Sequence, residues 1–377
     1  LFDPKLSAPE NPKYRPISSW RQIEHYLFDQ RIDPPYTDKN DVLKIAACLL
    51  KRAGMALPLN ATQLTGGVNN RVFKIDTAIG AFALKVYFSH PSDPRDRLGT
   101  ETAFTNHARA VGIDCLSKLI AFDRQRNVAL YSFAEGRRFE VSDITQTAIN
   151  QAVEFVLALN QNRSLARDLR VASEASFSIH GHIDTIEKRI AILRENVRDP
   201  SVLSFVNDEL QPTWEALRSS ATAAAGTRYF EELSEDDQCL SPSDFGFHNA
   251  ILGSDGKVRF VDFEYAGWDD PAHLLCDFFC QVSVPVSDKY RPFMMSKLAS
   301  LVLDQDWFRQ RVFILTPIYK IKWCCILLND FLQIEGKRRA FAGLSNDHMR
   351  HQRQLVQSRH LLNGLLKSPQ AASGQAD

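Results

Sequence analysis

The sequence predicts an α+β protein with two lobes, a small lobe rich in strands followed by a larger lobe that is mainly helical. Three observations predict this class. Short segments rich in β-branched and aromatic residues lie between residues 58 and 137. Apolar residues at helical spacing dominate residues 138–367. A length of 377 residues suits two lobes that share a cleft.

Composition limits the function classes. Hydrophobic residues make up 44% of the chain and charged residues 24%, as in globular proteins. Lys plus Arg equals Asp plus Glu at 45 each, so the protein has no net field to hold nucleic acid or an anionic membrane. The seven cysteines show no C-x-x-C spacing, which favours reduced, buried thiols and a cytoplasmic location.

The two ends of the chain differ from its centre. Residues 1–57 begin with a polar, proline-rich stretch and continue with helical patterns in "SWRQIEHYLFDQ" and "NDVLKIAACLLKRAG". We interpret them as a helical extension before the small lobe. The last residues, 368–377, have the composition of a disordered tail.

The small lobe has strand signals separated by turns. Four segments mix β-branched and aromatic residues: "QLTGGVNNRVFKID", "AFALKVYF", "LSKLIAFD" and "NVALYSF". One helix is predicted between them, in "DRLGTETAFTNHARAVGI", where Gly112 suits the helix end.

The second lobe reads as a series of helices with one interruption. The segment "NAILGSDGKVRFVDF" predicts a β-hairpin whose turn is "GSDG". Helices resume at "DDPAHLLCDFFCQV", where Asp270 suits the N-cap and Pro271 the first helical position. The apolar segment "IYKIKWCCILLNDFL" predicts a core helix, and it is shorter than the roughly 20 apolar residues of a membrane span.

The hairpin is expected to gather three polar side chains. Asn249 begins its first strand and Asp262 ends its second, so antiparallel pairing brings them together, with Asp244 on the preceding loop. Carboxylate and amide oxygens are the ligands that Mg²⁺ takes beside phosphates, and a remaining carboxylate can orient a hydroxyl. They could also be unrelated loop residues.

The small lobe offers a matching phosphate site. Gly66 and Gly67 lie at a strand-to-strand turn, where backbone N–H groups can approach phosphate oxygens. Lys85 lies in a strand between apolar neighbours and points either to solvent or into a cleft. Glu101 on the following helix can form an ion pair that fixes Lys85 against phosphates, across a gap of triphosphate size from the hairpin.

This ordered set resembles the aminoglycoside phosphotransferase and choline kinase family, which has a protein-kinase-like fold. The resemblance covers about residues 58–280 and weakly the helices beyond. It implies an enzyme that uses ATP and Mg²⁺ to phosphorylate a hydroxyl group of a small molecule. Asp244 would be the catalytic base, Asn249 and Asp262 the Mg²⁺ ligands, and Lys85, held by Glu101, the residue that binds the α- and β-phosphates.

The resemblance implies further contacts with the nucleotide and the acceptor. Gly66, Gly67 and Asn69 or Asn70 would cover the phosphates, and "YSFAEG" resembles the hinge, with the Ser132 carbonyl and Ala134 amide on the adenine edge. Family members build the acceptor pocket from C-terminal helices, so Asp277, Lys320, Lys322 and Trp323 are candidates to border it.

The sequence departs from the family pattern before the candidate base. The family has His-Gly there, whereas this chain has Pro242 and Ser243. The departure favours an alternative function, a nucleotide-binding pseudokinase that regulates or scaffolds other proteins. His248 is a candidate to replace the missing histidine, although a lone histidine beside a strand is more often structural. A protein kinase is disfavoured because "H-R-D" and "A-P-E" segments are absent from the sequence.

Charge offers a guide to the acceptor. Residues 271–377 contain 14 Lys and Arg against 8 Asp and Glu, a surplus of six positive charges. A polycationic aminoglycoside needs a pocket rich in carboxylates. The sequence therefore favours a neutral or anionic acceptor, such as a sugar or a related metabolite.

Overall fold

The structure is a computed structural model that describes residues 38–64, 70–91, 93–342 and 348–366. The predicted helix in "SWRQIEHYLFDQ" and the predicted tail at 368–377 lie outside these residues. The predicted domain boundaries at residues 58, 138 and 368 remain a proposal.

Five antiparallel strands form the sheet of the small lobe, in the order β1-β2-β3-β5-β4. They are β1 (Pro58–Leu64), β2 (Arg71–Thr77), β3 (Gly80–Val86), β4 (Leu119–Asp123) and β5 (Val128–Ser132). Alternate side chains of β2 and β3, including Phe73, Ile75 and Leu84, face one side of the sheet and are buried. Helix α1 (Lys39–Arg52) covers that face with Ile45 and Leu49.

Helix α2 (Arg97–Ala110) follows β3 and carries Glu101 towards the sheet. Its N-cap is Asp96, whose carboxylate accepts a hydrogen bond from the Gly99 N–H, a contact that satisfies a free donor of the first turn. The helix ends before Gly112, which adopts a left-handed φ of 84° that favours glycine. The sequence predicted both the helix and its end.

The helical lobe packs around one large apolar core. Its helices are α3 (Gln146–Leu159), α4 (Ile179–Asn196), α5 (Pro200–Ser204), α6 (Gln211–Ala225), α7 (Pro271–Cys280), α8 (Arg291–Leu298), α9 (Gln305–Leu328), α10 (Gln333–Ala342) and α11 (His348–Leu366). A π-helical stretch, Phe205–Leu210, joins α5 to α6 in one continuous element. Asp270 caps α7 by accepting the Ala272 N–H, and Pro271 is its first residue, as predicted.

Helix α9 crosses the centre of this lobe. The segment Gln305–Phe331 is long enough to span a membrane, and its most apolar window has a mean hydropathy of 1.4, but 67% of that window is buried in the protein. It packs against α4, α6, α7 and α11, which is the environment of a core helix. The sequence reading of this region as a core helix is confirmed, although its apolar part is longer than expected.

Short strands carry the loops that face the small lobe. Strand β8 (Ala250–Leu252) pairs with β9 (Val258–Phe260) in the predicted hairpin, and β6 (Arg137–Arg138) pairs with β8 on its other side. Strand β7 (Cys239–Ser241) pairs with β10 (Gly267–Asp269). These two small sheets place the segments before Asn249 and after Phe260 side by side. All seven cysteines have free thiols, as the sequence predicted, and five of them are buried, whereas Cys48 is exposed and Cys115 half-buried.

Helix α10 returns from the helical lobe to the small lobe, a contact that the sequence did not predict. Phe341 is buried in the apolar core of the small-lobe sheet, 5.5 Å from the ring of Phe88. The guanidinium of Arg71 stacks on the Phe341 ring at 4.7 Å and donates to its carbonyl. The C-terminal region therefore contributes to the packing of the small lobe.

Candidate active site

A cavity of about 240 Å³ lies between the sheet of the small lobe and the β8–β9 hairpin. Apolar side chains from both lobes line it, among them Leu64, Val72, Ala83, Tyr131, Phe133 and Ile251. The polar lining residues are Asn70, Lys85, Glu101, His248, Asn249 and Asp262, and we call the part of the cavity that they form its polar end. A cavity that combines apolar and charged side chains suits a nucleotide base and its phosphates.

Lys85 is held at the polar end by two carboxylates. Its position on β3 and its partner on α2 bring Nζ to 2.6 Å from Oε2 of Glu101, and Nζ also lies 2.6 Å from Oδ1 of Asp262 in the helical lobe. Burial alone would lower the pKa of Lys85, but Asp262 and Glu101 raise it well above its ordinary value. Lys85 is therefore a fixed positive charge inside the cavity. Its Nζ contacts Asp262 directly, so the prediction of a gap of triphosphate size between Lys85 and the hairpin is wrong for this structure.

A third carboxylate, Glu264, completes the polar end, and the sequence analysis missed it. Carboxylate oxygens of Glu101, Asp262 and Glu264 lie within 4.8 Å of one another. Burial raises the pKa of Asp262 to about 7, with the neighbouring Glu264 and Glu101 adding to the rise and Lys85 opposing it. The three carboxylates outnumber the two cationic side chains that pair with them, Lys85 and Arg97, which is the condition that attracts a further cation.

Glu264 also links the cluster to the small lobe, through Asn70 just before β2 and Arg97 at the start of α2. It accepts a hydrogen bond of 2.5 Å from the side-chain amide of Asn70, and Oε1 lies 3.5 Å from Nε of Arg97. The amide oxygen of Asn70 in turn accepts the Phe88 N–H at 3.1 Å. Of the four predicted phosphate-covering residues, Asn70 thus lines the cavity, whereas Gly66, Gly67 and Asn69 lie outside the described residues.

The loop that carries Asp244 is anchored by its aromatic residues. Phe245 and Phe247 are buried, and Phe245 packs against Phe260 and Phe278 with ring centroids 5.1 Å apart in both pairs. Asp244 directly precedes Phe245, and 36% of its side chain is exposed. Asp244 lies beside the cavity, next to His248 and Asn249, which both line it.

Asn249 and Asp262 face the cavity from adjacent positions of the hairpin, joined by a 2.9 Å hydrogen bond from Val261 N–H to the Asn249 carbonyl. The side-chain amide nitrogen of Asn249 donates to the Asp244 carbonyl at 2.9 Å and to Oδ2 of Asp244 at 3.1 Å. Because the nitrogen is directed at Asp244, the amide oxygen points away from it. That oxygen is the atom that could face a metal ion.

Two residues of this loop system have strained backbones. Ser243 has a φ of 67° and Asp262 a φ of 70°, and the described residues contain only one other non-glycine residue with positive φ, Asn127. A left-handed conformation is costly for residues other than glycine, and such costs concentrate at functional sites. Ser243 directly precedes the candidate base, and Asp262 is a candidate metal ligand. The sequence did not predict the backbone strain at either residue.

The predicted hinge follows β5. Ser132 is the last residue of that strand, and Ala134 lies in the cavity wall beside Phe133. Phe133 and Ala134 therefore line the same cavity as Lys85 and Asp262. The geometry is compatible with the adenine contacts that the resemblance implies, and these contacts remain a prediction.

The candidate acceptor residues fall into two groups. Asp277 accepts hydrogen bonds from His273 at 3.0 Å, Lys322 at 2.7 Å and the Trp323 indole at 3.0 Å, so its oxygens are occupied. The Trp323 ring also lies 6.4 Å from the ring of His248. Lys320 does not join this group in the structure; it lies near Cys280, whose pKa is raised to about 12 by burial, with Arg291 and Lys320 opposing the rise. The lysine beside Asp277 is Lys322.

Asp244 has a lowered pKa. Burial alone would raise the pKa of its carboxyl, but His248 and the hydrogen bond from Asn249 lower it below the ordinary value. The pKa of His248 is raised in turn: burial opposes the rise, and Asp244 produces it. Asp244 is therefore ionised at neutral pH and can accept a hydrogen bond from an alcohol.

Comparison with known proteins identifies relatives of this arrangement. A profile described as "Phosphotransferase enzyme family" matches residues 60–285, which is more than half of the chain. No curated protein matches the sequence significantly.

Solved structures that are similar to this one include the following three. The choline kinase LicA from Streptococcus pneumoniae has 14% sequence identity and a TM-score of 0.54, over 86% of this chain and 98% of that chain. A spectinomycin phosphotransferase in complex with ADP and spectinomycin has 10% identity and a TM-score of 0.54, over 89% and 96%. An amicoumacin kinase in complex with AMP-PNP has 13% identity and a TM-score of 0.50, over 92% and 96%. At these identities the comparisons establish the fold, which is the protein-kinase-like one.

Proposed function

Because the chain belongs to the phosphotransferase enzyme family and is a small-molecule kinase that acts on a hydroxyl group, we propose that Asp244 presents the acceptor to the γ-phosphate of ATP. The observation that carries this proposal is the grouping of Asp244, Asn249 and Asp262 around one hairpin, with Asn249 and Asp262 lining the same cavity as the Lys85–Glu101 ion pair. Phosphoryl transfer depends chiefly on positioning and charge neutralisation, and these side chains supply both.

Lys85 would bind the α- and β-phosphates of the nucleotide. Glu101 holds its ammonium group at 2.6 Å in a buried site, so little side-chain entropy is lost on binding. The contact of Lys85 with Asp262 occupies one carboxylate oxygen. When phosphates enter the cavity, the ammonium group of Lys85 would therefore contact both the phosphates and Glu101.

Asn249 and Asp262 would hold Mg²⁺ next to the phosphates. The residues fit the ion: the amide oxygen of Asn249 points away from Asp244, and Asp262 belongs to a cluster of three carboxylates. Bound Mg²⁺ would neutralise charge on the phosphate oxygens. Both residues come from the hairpin, so its fixed geometry sets the distance between the ligands.

Asp244 would orient the acceptor hydroxyl rather than remove its proton early. Its lowered pKa keeps the carboxyl ionised, and an ionised carboxylate accepts a hydrogen bond from an alcohol. A hydroxyl held in this way directs an oxygen lone pair at the γ-phosphate. The strained backbone at Ser243 fixes the direction of this side chain.

The charges beside Asp244 favour a neutral or anionic acceptor. Asp277 is saturated by three donors, and Glu174 is paired with Arg189 and lies 3.3 Å from Lys322. A cationic acceptor would have to compete with these buried partners for either carboxylate. A sugar or a related metabolite meets no such competition. The acceptors named for the similar structures carry no argument at 10% to 14% identity.

An ADP-release assay tests the proposal. The purified chain is incubated with MgATP and a panel of sugars, sugar acids, amino alcohols, nucleosides and an aminoglycoside. We expect acceptor-dependent ADP release with a neutral or anionic compound, and less than about 1% of it in Asp244→Ala. Full turnover by Asp244→Ala would show that the assigned role is wrong. The preference for the acceptor class would fail if only cationic compounds were phosphorylated.

A matched control uses the same hairpin. Asp255 is an exposed carboxylate in its turn, paired with Arg259 at the end away from the cavity. Asp255→Ala should therefore leave ADP release unchanged. Binding of a fluorescent ADP analogue to Asp244→Ala should also stay close to that of the wild type, because Asp244 does not line the nucleotide cavity.

A further inference from the structure

His248 contacts the candidate base directly. Nε2 of His248 lies 3.0 Å from Oδ1 of Asp244, while the Asn249 amide donates to Oδ2 at 3.1 Å. An ionised carboxylate can only accept hydrogen bonds, so Nε2 must carry a hydrogen atom and donate the hydrogen bond. Each oxygen of Asp244 thus receives one side-chain donor from the same short loop, and the plane of the carboxylate is fixed.

The chain is built to hold His248 in this place. A Cβ at Gly246 would lie 2.7 Å from Nδ1 of His248, so any larger residue would displace the imidazole ring. The φ of Gly246 is 169°, an extended value, so the glycine is required by space and not by backbone conformation. On the other side the Trp323 ring meets the imidazole edge to face at 82°, with the indole fixed by Asp277 at 3.0 Å.

We propose that His248 is a positioning residue for phosphoryl transfer: its Nε2–H holds Oδ1 of Asp244 so that the free face of the carboxylate meets the acceptor hydroxyl. The inference rests on the proposed role of Asp244. It also explains how the loop is organised although Pro242 and Ser243 precede the candidate base. Trp323 and Asp277 support the imidazole from behind, and through it the base.

Three variants test the role through turnover. We expect His248→Ala to lower kcat for ADP release about 10- to 100-fold, the loss typical of a misplaced catalytic group, with less than a twofold change in KM for MgATP. His248→Gln places an amide N–H near the position of Nε2 and should recover most of this loss. Gly246→Ala should reproduce the fall in kcat, because it displaces the ring. His180→Ala, at an exposed position on α4, is the matched control.

Two turnover results would overturn the proposal. One is an unchanged kcat in His248→Ala. The other is an equal loss in His248→Ala and His248→Gln, because a donated hydrogen bond would then be irrelevant. Circular dichroism and thermal melts check that each variant is folded. Each assay uses MgATP and the compound of the panel that gives the fastest ADP release. If no compound is phosphorylated, ADP release by hydrolysis with water is measured instead.

A measurement without turnover separates this proposal from the proposed function. In ¹H–¹⁵N spectra of the histidine side chains, His248→Gln identifies the His248 signals, and Asp244→Asn should shift the Nε2 resonance of His248. If the wild type released no ADP with any acceptor, the proposed function would fail, and the spectrum alone would decide the pairing. A His248 signal that is indifferent to Asp244→Asn overturns the inference.

Discussion

Nζ of Lys85 lies 2.6 Å from Oδ1 of Asp262, although 177 residues separate them in the sequence. The same ammonium group lies 2.6 Å from Glu101. One lysine therefore connects the sheet and helix α2 of the small lobe to the metal-ligand candidate of the helical lobe. Without it, three carboxylates, of which Glu101 and Glu264 are buried, would face one another.

Replacing Lys85 should destabilise the protein as well as inactivate it. Loss of one partner from a buried ionic cluster leaves uncompensated charge, at a cost of about 3–5 kcal/mol. We expect Lys85→Met to lower the free energy of unfolding in urea by an amount of this order. Mg²⁺ should restore part of it, because a cation can replace the ammonium group. Lys188→Met, at an exposed position of α4, should change stability little. A variant as stable as the wild type would contradict the charge argument.

Metal binding should depend on Asp262 and Asn249. At a given concentration, a ligand with higher affinity for the folded state raises the melting temperature more. MgADP should therefore raise the melting temperature more than ADP with EDTA does. This difference should disappear in Asp262→Asn and Asn249→Ala but persist in Asp255→Asn. EDTA should also end ADP release. If Asp262→Asn kept the full Mg²⁺-dependent shift, the metal site would lie elsewhere.

The buried His273 should make stability depend on pH. Burial alone would lower its pKa, but Asp269 at 2.7 Å and Asp277 at 3.0 Å raise it to about 9 from an ordinary value of 6.5. Because the folded pKa is the higher one, the stabilisation is complete below pH 6.5 and is lost as pH rises through 9. A shift of this size corresponds to about 3 kcal/mol.

Urea unfolding at pH 6, 7.5 and 9.5 measures this effect. The free energy of unfolding should fall across the series in the wild type, and the fall should be smaller in His273→Gln. His180→Gln, at an exposed position, should retain the wild-type dependence. An identical pH dependence in wild type and His273→Gln would mean that this histidine is not charged in the folded protein.

Phe341 should be needed for the small lobe. It is 5% exposed and packs in the core of the sheet beside Phe88. Removal of a buried phenylalanine side chain costs about 3–5 kcal/mol. Phe341→Ala should therefore lower the free energy of unfolding by about that amount and weaken binding of a fluorescent ADP analogue. Phe313→Ala removes an exposed ring of α9 and serves as the control. Unchanged stability of Phe341→Ala would show that α10 does not pack there in solution.

The local features of the sequence predicted most of the elements. Strand signals around Lys85, the "GSDG" turn and the Asp270–Pro271 helix start each depend on residues close together in the chain. The ordered set of Lys85, Glu101, Asp244, Asn249 and Asp262 was found in the same way, because the type of element at each position is local information. The predicted helix in "SWRQIEHYLFDQ" and the candidate phosphate-binding residues Gly66, Gly67 and Asn69 lie outside the described residues.

The sequence by itself determined the two-lobed class, the hairpin and the residue types of the candidate site. Tertiary structure alone decided that Lys85 contacts Asp262, that Glu264 joins their cluster, that Lys322 rather than Lys320 reaches Asp277, and that Phe341 packs in the other lobe. The physical reason is the range of the forces involved. Periodicity and turn chemistry act between neighbouring residues. Contacts between distant segments depend on how whole elements pack, and no local pattern records that.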